Sequence, residues 1–291
     1  MYAAPFEYHA PATLAEALSL LGRYGEEAKV LSGSMSLVPL MKLRLARPAH
    51  LIDLRKVPGL SGVSESGGNV QIGARTTHAE LAASPVIGAK LPMMAEAARQ
   101  IGDAQVRNLG TIGGSLSHAD PSADWPAVLV ALDASVQIAS GRGERTVKVE
   151  QFIVGPLSTV LEPGEILTQV RVPLPSGRYG GAYEKLPHPA SRFAIVGVAA
   201  EVFLDGGGAV QSARIALTGL APKVTRAAQV EQALKGKPPD ATSLKAAAAQ
   251  AAKGLELRPD MTGSADYKAN LAVVYTERAL KRAAARARER S

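Results

Sequence analysis

The sequence predicts an α+β protein of two domains, and three observations support this prediction. The chain has 291 residues, and chains of that length commonly divide into about two domains. Short strand-like runs alternate with helices and small-residue segments up to 173–177, where prolines and a glycine predict a domain boundary. Beyond that point three strand-like runs precede alanine-rich helices, an order typical of an α+β domain rather than of βαβ units.

Composition and charge exclude several classes of protein. The chain contains no cysteine, so disulfides, thiolate zinc sites, catalytic thiols and Cys-ligated iron–sulfur clusters cannot lie within it. Its net charge is +7, but residues 278–291 hold six basic residues and one acidic residue. Such a stretch favours a helix that is solvated or faces another subunit. Because no aromatic residues are interleaved with the basic ones, we expect no nucleic-acid binding.

Hydropathy predicts a soluble, cytoplasmic protein. The longest apolar stretches are only a few residues, whereas a membrane span needs about 20. The opening residues lack the basic and apolar regions of a signal peptide. We therefore expect neither a membrane span nor export.

Local signals predict the elements of the first domain. Thr13 and Glu16 form a capping-box pattern, which predicts a helix at about 14–22. A strand at 29–31 then runs into a Gly/Ser segment, and Pro39 suits the first turn of the helix that follows. The other predicted elements of this domain are strands at 51–54, 70–73, 135–139, 145–149 and 166–172, and helices at 91–101 and 123–132.

The second domain is predicted from strand-like runs at 181–186, 193–204 and 209–217. Asp205 and the three glycines after it form a strong hairpin signal between the last two runs. Alanine-rich helices at about 225–235, 242–253 and 268–288 complete the prediction.

Common catalytic and nucleotide motifs are absent from the sequence. It contains no GxGxxG, GxxxxGK[ST], HExxH or GxSxG pattern. Ser117, His118 and Asp120 do not favour a hydrolase, because triad members meet in space and are seldom adjacent in sequence. No metal spacing connects the five histidines, so we predict no metal site. They are His9, His50, His78, His118 and His188.

Two segments consist almost entirely of Gly, Ser and Thr, and we call residues 32–36 the first segment and residues 111–115 the second segment. Each is expected to be a loop next to a strand or a helix. Glycine allows the main chain to approach a ligand closely, and several unpaired N–H groups and hydroxyls can surround one anion. Together the two loops could bind a pyrophosphate without a lysine. The alternative is that each is an ordinary tight turn.

The position and neighbours of these segments favour the first interpretation. The sequence resembles the FAD-binding medium subunits of molybdenum hydroxylases, such as aerobic carbon monoxide dehydrogenase, with xanthine dehydrogenase as a more distant relative. The order and spacing of the motifs, over some 280 residues, carry the resemblance. The motifs are Phe6-x-Tyr8-x-x-Pro11, the first segment with Leu37-Val38-Pro39, Leu51-Ile52-Asp53-Leu54-Arg55, Ile72-Gly73-Ala74, Thr111-Ile112-Gly113-Gly114, Asp120-Pro121-x-x-Asp124, Pro163-Gly164-Glu165-Ile166-Leu167 and Ala182-Tyr183-Glu184-Lys185-Leu186.

The resemblance implies a two-lobed FAD-binding domain of the vanillyl-alcohol oxidase type over residues 1–175, with lobes at about 1–55 and 56–175. A smaller α+β domain with a three-stranded antiparallel sheet and helices would occupy 176–291, and non-covalent FAD would lie between the domains.

The resemblance also implies the cofactor-binding residues. The two segments would hold the pyrophosphate, Asp124 would accept hydrogen bonds from cofactor hydroxyls, and Leu167 would contact the adenine end. Lys185 would lie near the flavin ring, with Ile101 and Phe193 on its two faces. The full predicted set is Lys29, Ser32, Gly33, Ser34, Met35, Ser36, Ile101, Thr111, Ile112, Gly113, Gly114, Ser115, Asp120, Asp124, Leu167, Lys185 and Phe193.

Three departures from the family pattern affect this prediction. The first segment reads Ser-Gly-Ser-Met-Ser, where relatives usually have Ala-Gly-Gly-(His or Gln)-Ser. If that second glycine position requires a positive φ, Ser34 adds strain; if it does not, the Ser34 hydroxyl adds a hydrogen-bond donor. Ser115 stands where relatives often carry Asn. Phe193 stands where the carbon monoxide enzyme has Tyr, so this position keeps a ring face for stacking but lacks the phenolic O–H.

The predicted function is electron transfer rather than substrate oxidation. By the resemblance, FAD on this chain takes electrons from [2Fe–2S] clusters of a small subunit and passes them to an external acceptor. A large molybdenum–pterin subunit would oxidise the substrate, and a dimer of heterotrimers is implied, with peripheral membrane association left open. Two alternatives remain: a stand-alone FAD oxidase or dehydrogenase, which needs a catalytic base such as His118 or His188, and a scaffold subunit without cofactor.

Overall fold

Three main β-sheets, each built from a separate part of the chain, organise the fold. A computed structural model describes residues 2–257 and 259–290. The strands are β1 (Glu7–His9), β2 (Ala28–Leu31), β3 (His50–Asp53), β4 (Val63–Ser66), β5 (Asn69–Gly73), β6 (Ser135–Ser140), β7 (Gly143–Lys148), β8 (Ile153–Gly155), β9 (Ser158–Thr159), β10 (Ile166–Pro173), β11 (Arg178–Pro187), β12 (Ala194–Leu204), β13 (Val210–Thr218) and β14 (Thr225–Arg226). The helices are α1 (Leu14–Tyr24), α2 (Leu37–Lys42), α3 (His78–Ala83), α4 (Pro85–Lys90), α5 (Pro92–Gln100), α6 (Ala104–Leu109), α7 (Ile112–His118), α8 (Asp124–Ala131), α9 (Val149–Phe152), α10 (Ala228–Leu234), α11 (Ala241–Ala248) and α12 (Ala265–Glu289).

The first lobe is a parallel sheet of order β1-β3-β2 that packs against α1. Helix α1 begins as predicted, because the Thr13 hydroxyl accepts the Glu16 N–H at 3.1 Å. Its apolar face buries Ala17 and Leu21 next to Ile52 of β3. Since parallel strands end at the same edge of a sheet, β2 and β3 deliver the segments that follow them to one edge. The first segment begins there.

The second lobe contains an antiparallel sheet of order β4-β5-β10-β6-β7, and the small helices α3 to α9 surround it. Helix α8 is buried along its whole length, and after its first residue, Asp124, it is apolar on all sides. A helix that is apolar on all sides requires cover on all sides. Strands of both the second and the C-terminal sheet supply part of that cover, because β6 shares its core and β12 and β13 contact it.

The C-terminal part contains an antiparallel sheet of order β11-β12-β13-β14, covered by α10 and α12, and α11 packs against these two helices. The predicted hairpin joins β12 and β13, and the Asp205 carboxylate accepts the N–H groups of Gly207 and Ala209 at 2.9 Å. The sheet has a fourth strand beyond the three predicted. Strand β14 is two residues long and lies at the start of the predicted helix 225–235, so the helix itself begins only at Ala228. The domain boundary predicted at 175/176 falls between β10 and β11.

Basic residues of α12 bind other parts of this chain. Arg282 pairs with Glu96 of α5 at 3.0 Å, and Arg286 contacts the same carboxylate. Arg286 also donates to the Gly181 carbonyl oxygen of β11 at 2.6 Å. The expectation of a purely solvated or subunit-facing helix therefore needs correction for these two arginines. These two arginines therefore join α12 to α5 of the second lobe and to β11 of the C-terminal sheet.

Candidate functional site

A cleft of about 910 Å³ opens where the two lobes and the C-terminal sheet meet. The first lobe contributes β2 and the first segment, and the second lobe contributes the second segment and part of β10. The loop after β11 contributes Ser191, Arg192 and Phe193. Ligand sites of proteins commonly occupy roughly 300–1,000 Å³, so the cleft has the size of a site for a large organic ligand.

The first segment leaves several backbone donors free. It follows the carboxyl end of β2 and precedes α2, and Ser36 at the start of α2 provides no side-chain cap. Within the described residues, the N–H groups of 33–36 have no hydrogen-bond acceptor. Buried N–H groups are normally paired, and these four residues are half-buried in the wall of the cleft. An anion in the cleft is the partner that such a set of donors suits.

Ser34 has a φ of +66°. This is the left-handed region, in which a side chain with a Cβ costs about 1–2 kcal/mol relative to glycine. The sequence left open whether this position has a positive φ. It does, so Ser34 is strained where relatives usually have glycine. The strain is located in the segment with the free N–H groups.

The two segments approach each other directly. The hydroxyls of Ser32 and Thr111 lie 3.2 Å apart and share a hydrogen bond. A Cβ on Gly33 would overlap the Leu109 carbonyl oxygen and lie 2.8 Å from the Gly110 Cα. A glycine is required where two main chains pass this closely. The two segments therefore line the cleft side by side.

The second segment is the start of a helix, not the loop that we predicted. Thr111 is the N-cap of α7, and its hydroxyl accepts the Gly114 N–H at 3.1 Å. The N–H groups of Ile112 and Gly113 donate to the carbonyl oxygens of Thr76 and Ala74 at 3.1 and 2.8 Å. Capping and these anchors override the low helix propensity of two glycines. The second segment therefore offers hydroxyls to the cleft and few free N–H groups.

A buried ion pair lies under the cleft. Both carboxylate oxygens of Asp124, on α8, lie 2.8–2.9 Å from Nζ of Lys185, on β11. The Tyr183 hydroxyl donates to the same carboxylate at 2.5 Å, and Lys185 also donates to the Gln100 carbonyl oxygen at 3.2 Å. Burial raises the pKa of the Asp124 carboxyl, an effect that the Lys185 ammonium opposes. Burial also keeps the pKa of the Tyr183 phenol well above its usual value, so it remains a donor.

His78 supports the second segment from behind. Its backbone N–H donates to the Gly110 carbonyl oxygen at 3.0 Å, and its Nδ1 accepts the Trp125 indole N–H at 3.0 Å. Burial, with the nearby charge of Arg107, lowers the pKa of His78 to about 4. The ring is therefore neutral near pH 7, and its proton lies on Nε2 because Nδ1 is an acceptor.

Comparisons with known proteins identify the family. The family model described as "FAD binding domain in molybdopterin dehydrogenase" matches residues 4–175. The family model described as "CO dehydrogenase flavoprotein C-terminal domain" matches residues 181–283. The chain belongs to the FAD-binding subunits of molybdenum hydroxylases.

Individual relatives agree with this family along the whole chain. The carbon monoxide dehydrogenase medium chain of Hydrogenophaga pseudoflava is 43% identical over 281 residues, which cover 97% of this chain and 98% of the relative. The nicotine 6-hydroxylase medium subunit of Paenarthrobacter nicotinovorans is 37% identical over 279 residues, which cover 96% and 97%. A solved structure of carbon monoxide dehydrogenase from Hydrogenophaga pseudoflava superposes with a TM-score of 0.94 at 44% identity, covering 98% of this chain and 99% of that one. The predicted family and fold class are confirmed, and the chain is a subunit of an oxidoreductase.

The cleft fits the FAD that this family binds. A dinucleotide needs a long cavity with donors for its pyrophosphate and apolar contacts for its rings. The free N–H groups of 33–36 meet the first need, and Ile101, Leu167 and Phe193 line the cleft with apolar surface.

Most predicted site residues lie together, and two lie behind the others. Ile112 is completely buried in the core, and Lys185 lies beneath the cleft with its side chain closed off from solvent. Those that line the cleft are Lys29, Ser32, Gly33, Ser34, Met35, Ser36, Ile101, Thr111, Gly113, Gly114, Ser115, Asp120, Asp124, Leu167 and Phe193.

Two residues of the site were missing from the prediction. Tyr183 lies two residues before Lys185 on β11, so strand periodicity places both side chains on one face. His78 follows Thr77, which forms a capping box with Glu80; that pattern could have located the start of α3.

Among the described residues, no helix has the length and apolar character of a bilayer span.

Proposed function

We propose that this FAD-binding subunit transfers electrons, receiving them from [2Fe–2S] clusters of a small subunit and delivering them to an external acceptor. The observation that carries the proposal is the junction of the two segments, where free N–H groups meet hydroxyls beside a large cleft. The relatives named above are medium chains or medium subunits of dehydrogenases and hydroxylases. The absence of cysteine agrees with iron–sulfur clusters on a partner.

In this proposal the first segment binds the pyrophosphate through the N–H groups of 33–36. Ser32, Thr111 and Ser115 add hydroxyl donors from two sides. No lysine is needed, because several main-chain dipoles directed at one anion neutralise much of its charge. The chemistry that FAD supplies when bound is the exchange of one or two electrons at its ring.

The ring end of the cleft is assigned to Ile101 and Phe193, which line the cleft and would exclude water from the two faces of a bound flavin ring. Asp124 accepts from a cofactor hydroxyl in this assignment, and Leu167 contacts the adenine end. Lys185 and Tyr183 hold the Asp124 carboxylate in place from below. We assign Lys185 this supporting role because its ammonium group is already paired and buried.

The proposed assembly contains a large molybdenum–pterin subunit, a small iron–sulfur subunit and this chain, as a dimer of heterotrimers in the cytoplasm. The proposed division of the chain places the FAD-binding domain at 1–175 and the C-terminal domain at 176–291. Phe6, Leu43, Leu45, Leu109 and Leu157 are large apolar side chains on the surface. Such exposed side chains are candidates for contact with the other subunits.

The test is the visible spectrum of the chain purified alone and after co-expression with large and small subunits from the same genome. We expect flavin absorbance and about one acid-released FAD per chain, at least in the complex. Reduction of that flavin should require the complex with its substrate. A colourless chain in both preparations would contradict cofactor binding and favour a scaffold, and flavin reduction by an organic substrate without partners would favour a stand-alone oxidase.

A pair of lysine variants tests the support under the cleft. Lys185→Met leaves the buried Asp124 carboxylate without its cation, which typically costs about 3–5 kcal/mol. The unopposed effect of burial raises the pKa of Asp124 further, and a raised pKa means that stability falls as pH rises. We therefore expect a larger loss at pH 8 than at pH 5, together with lower FAD content. Lys148→Met breaks an ion pair with Asp133 whose side chains are about half exposed, so denaturation should detect at most about 1 kcal/mol there.

A further inference from the structure

Two histidines and a glutamate meet on one face of the first lobe, away from the cleft. Glu7 and His9 are two residues apart on β1, so their side chains face the same side of the sheet. His50 begins β3 and stands opposite Glu7 in the parallel register. Forty-one residues separate His9 from His50 in sequence, and strand pairing removes that separation.

The three possible ligand atoms form a compact triangle. Nε2 of His9 lies 3.2 Å from Nδ1 of His50, and Oε2 of Glu7 lies 3.4 Å from His50 and 3.9 Å from His9. Zinc binds imidazole nitrogen at about 2.0–2.1 Å and carboxylate oxygen at about 2.0–2.2 Å. In a tetrahedron with these bond lengths, ligand atoms lie about 3.3–3.5 Å apart. The His9–His50 and Glu7–His50 distances are within about 0.2 Å of that range. The Glu7–His9 distance is longer, and a small rotation of the exposed Glu7 side chain would shorten it.

An aromatic side chain holds both imidazoles. The Tyr24 ring stacks on His50 with centroids 3.7 Å apart and on His9 with centroids 5.1 Å apart. The side chains of His50 and His9 are only 13% and 20% exposed, whereas Glu7 is 70% exposed. The nitrogens are therefore nearly fixed, and the carboxylate side stays open to solvent. A metal ion can enter from that side and retain a water ligand.

We propose that Glu7, His9 and His50 bind one divalent cation of the zinc type, with water as the fourth ligand. Two imidazoles and a carboxylate are a donor set that Zn²⁺ accepts readily. The hydrogen bond between the two ring nitrogens gives way to two metal bonds, and a ring that carried its proton on the liganding nitrogen carries it on the other. No net proton release is required from neutral rings.

A cation at this site would stabilise the edge of the first sheet. Strand β1 is three residues long and lies at the edge of its sheet, and short edge strands have little hydrogen bonding of their own. A metal bound by two residues of β1 and one of β3 would fasten that edge. Bound cation stabilises the folded chain because the unfolded chain lacks the assembled site.

The experiment is a Zn²⁺ titration of the tag-free, chelator-treated full chain by calorimetry, with thermal denaturation in parallel. We expect one ion per chain and a higher melting temperature with Zn²⁺. His9→Phe and His50→Phe keep a ring against Tyr24 and remove the ligand nitrogen, so affinity should fall by about 100-fold or more. Glu7→Gln, at an exposed position, should lower affinity by about 10-fold. His118→Ala, which removes a histidine outside the cluster, should bind as the unchanged chain does.

Several results would overturn the proposal. One is Zn²⁺ binding that is equal in the unchanged chain and in the His9→Phe/His50→Phe double variant. Another is loss of binding in His118→Ala to the same degree as in His50→Phe. If a Phe variant does not fold, judged by circular dichroism without metal, Glu7→Gln decides: unchanged affinity there contradicts the site. X-ray absorption of the zinc-loaded chain should show two imidazole ligands, and fewer would also contradict it.

Discussion

The first and second segments have nearly the same composition and very different structures. Residues 32–36 form an extended turn after a parallel strand, with free N–H groups and one strained φ at Ser34. Residues 111–115 are an N-cap and the first turn of α7, and their main chain is anchored to Ala74 and Thr76. Small residues therefore have two uses in one site. In the first segment they leave N–H groups free beside the cleft, and in the second they allow close packing.

The glycines show this difference most clearly. Gly33 is where the two segments touch, because a Cβ there would overlap main-chain atoms of 109–110. Gly113 instead faces Ala74, and a Cβ added to Gly113 would lie 2.6 Å from the Ala74 Cβ. Gly33 thus shapes the junction at the cleft, whereas Gly113 fits α7 onto the end of β5. Composition alone does not separate these two roles.

Among substitutions within the two segments, the largest expected effect comes from closing their junction. Gly33→Ala places a methyl group against the Leu109 carbonyl oxygen, and rigid main chain cannot yield as a flexible side chain would. Overpacking of this kind costs about 1–3 kcal/mol and sometimes more, and the two segments should separate. We expect lower stability in urea denaturation and loss of FAD from the complex. Gly22→Ala, in α1 with no atom within 4 Å, should instead gain about 0.5–1 kcal/mol; equal behaviour of the two variants would contradict this account.

A second prediction concerns the residue behind the second segment. The pKa of His78 is about 4 in the folded chain and about 6.5 when unfolded. The neutral His78 ring therefore makes its full contribution to the free energy of unfolding above pH 6.5. That contribution is lost as pH falls toward 4, and the loss reaches about 3 kcal/mol. Urea denaturation at several pH values should show a steeper loss for the unchanged chain than for His78→Gln, with His188→Gln as the control. A His78 imidazole that titrates near pH 6.5 by NMR would refute this.

The smallest effects have opposite signs in the two segments. Ser34→Gly removes the strain at φ +66° and should stabilise the chain by about 1 kcal/mol. Ser115→Gly lies inside α7, where glycine is the poorer helix former by about 0.5 kcal/mol. Thermal denaturation of both variants should show one increase and one decrease. Changes of the same sign would mean that the segments do not differ as described.

Local signals in the sequence predicted local structure well. The capping-box pattern at Thr13 and Glu16 predicted the start of α1, and the glycines after Asp205 predicted the β12–β13 hairpin. Helix α7 was missed, because propensity disfavours two glycines in a row and only contacts with Ala74 and Thr76 reverse that preference. A pattern in one stretch of chain carries no information about such anchors.

Contacts between distant residues were beyond sequence reasoning in the same way. The resemblance suggested Asp124 and Lys185 separately, but their pairing across 61 residues depends on how α8 packs on the C-terminal sheet. The Glu7, His9 and His50 cluster has no recognisable spacing because parallel pairing of β1 and β3 creates it. The Ser32–Thr111 contact spans 79 residues and likewise appears only when the lobes are folded together.

The most direct test of the central claim is hydrogen exchange of the main-chain amides in the complex, with and without FAD. The account predicts that the N–H groups of 33–36 exchange rapidly without FAD and become protected when it binds. Those of Ile112 and Gly113 should be protected in both states, because they already donate to Thr76 and Ala74. Protection that appears at 112–113 and not at 33–36 would contradict the proposed division of roles between the two segments.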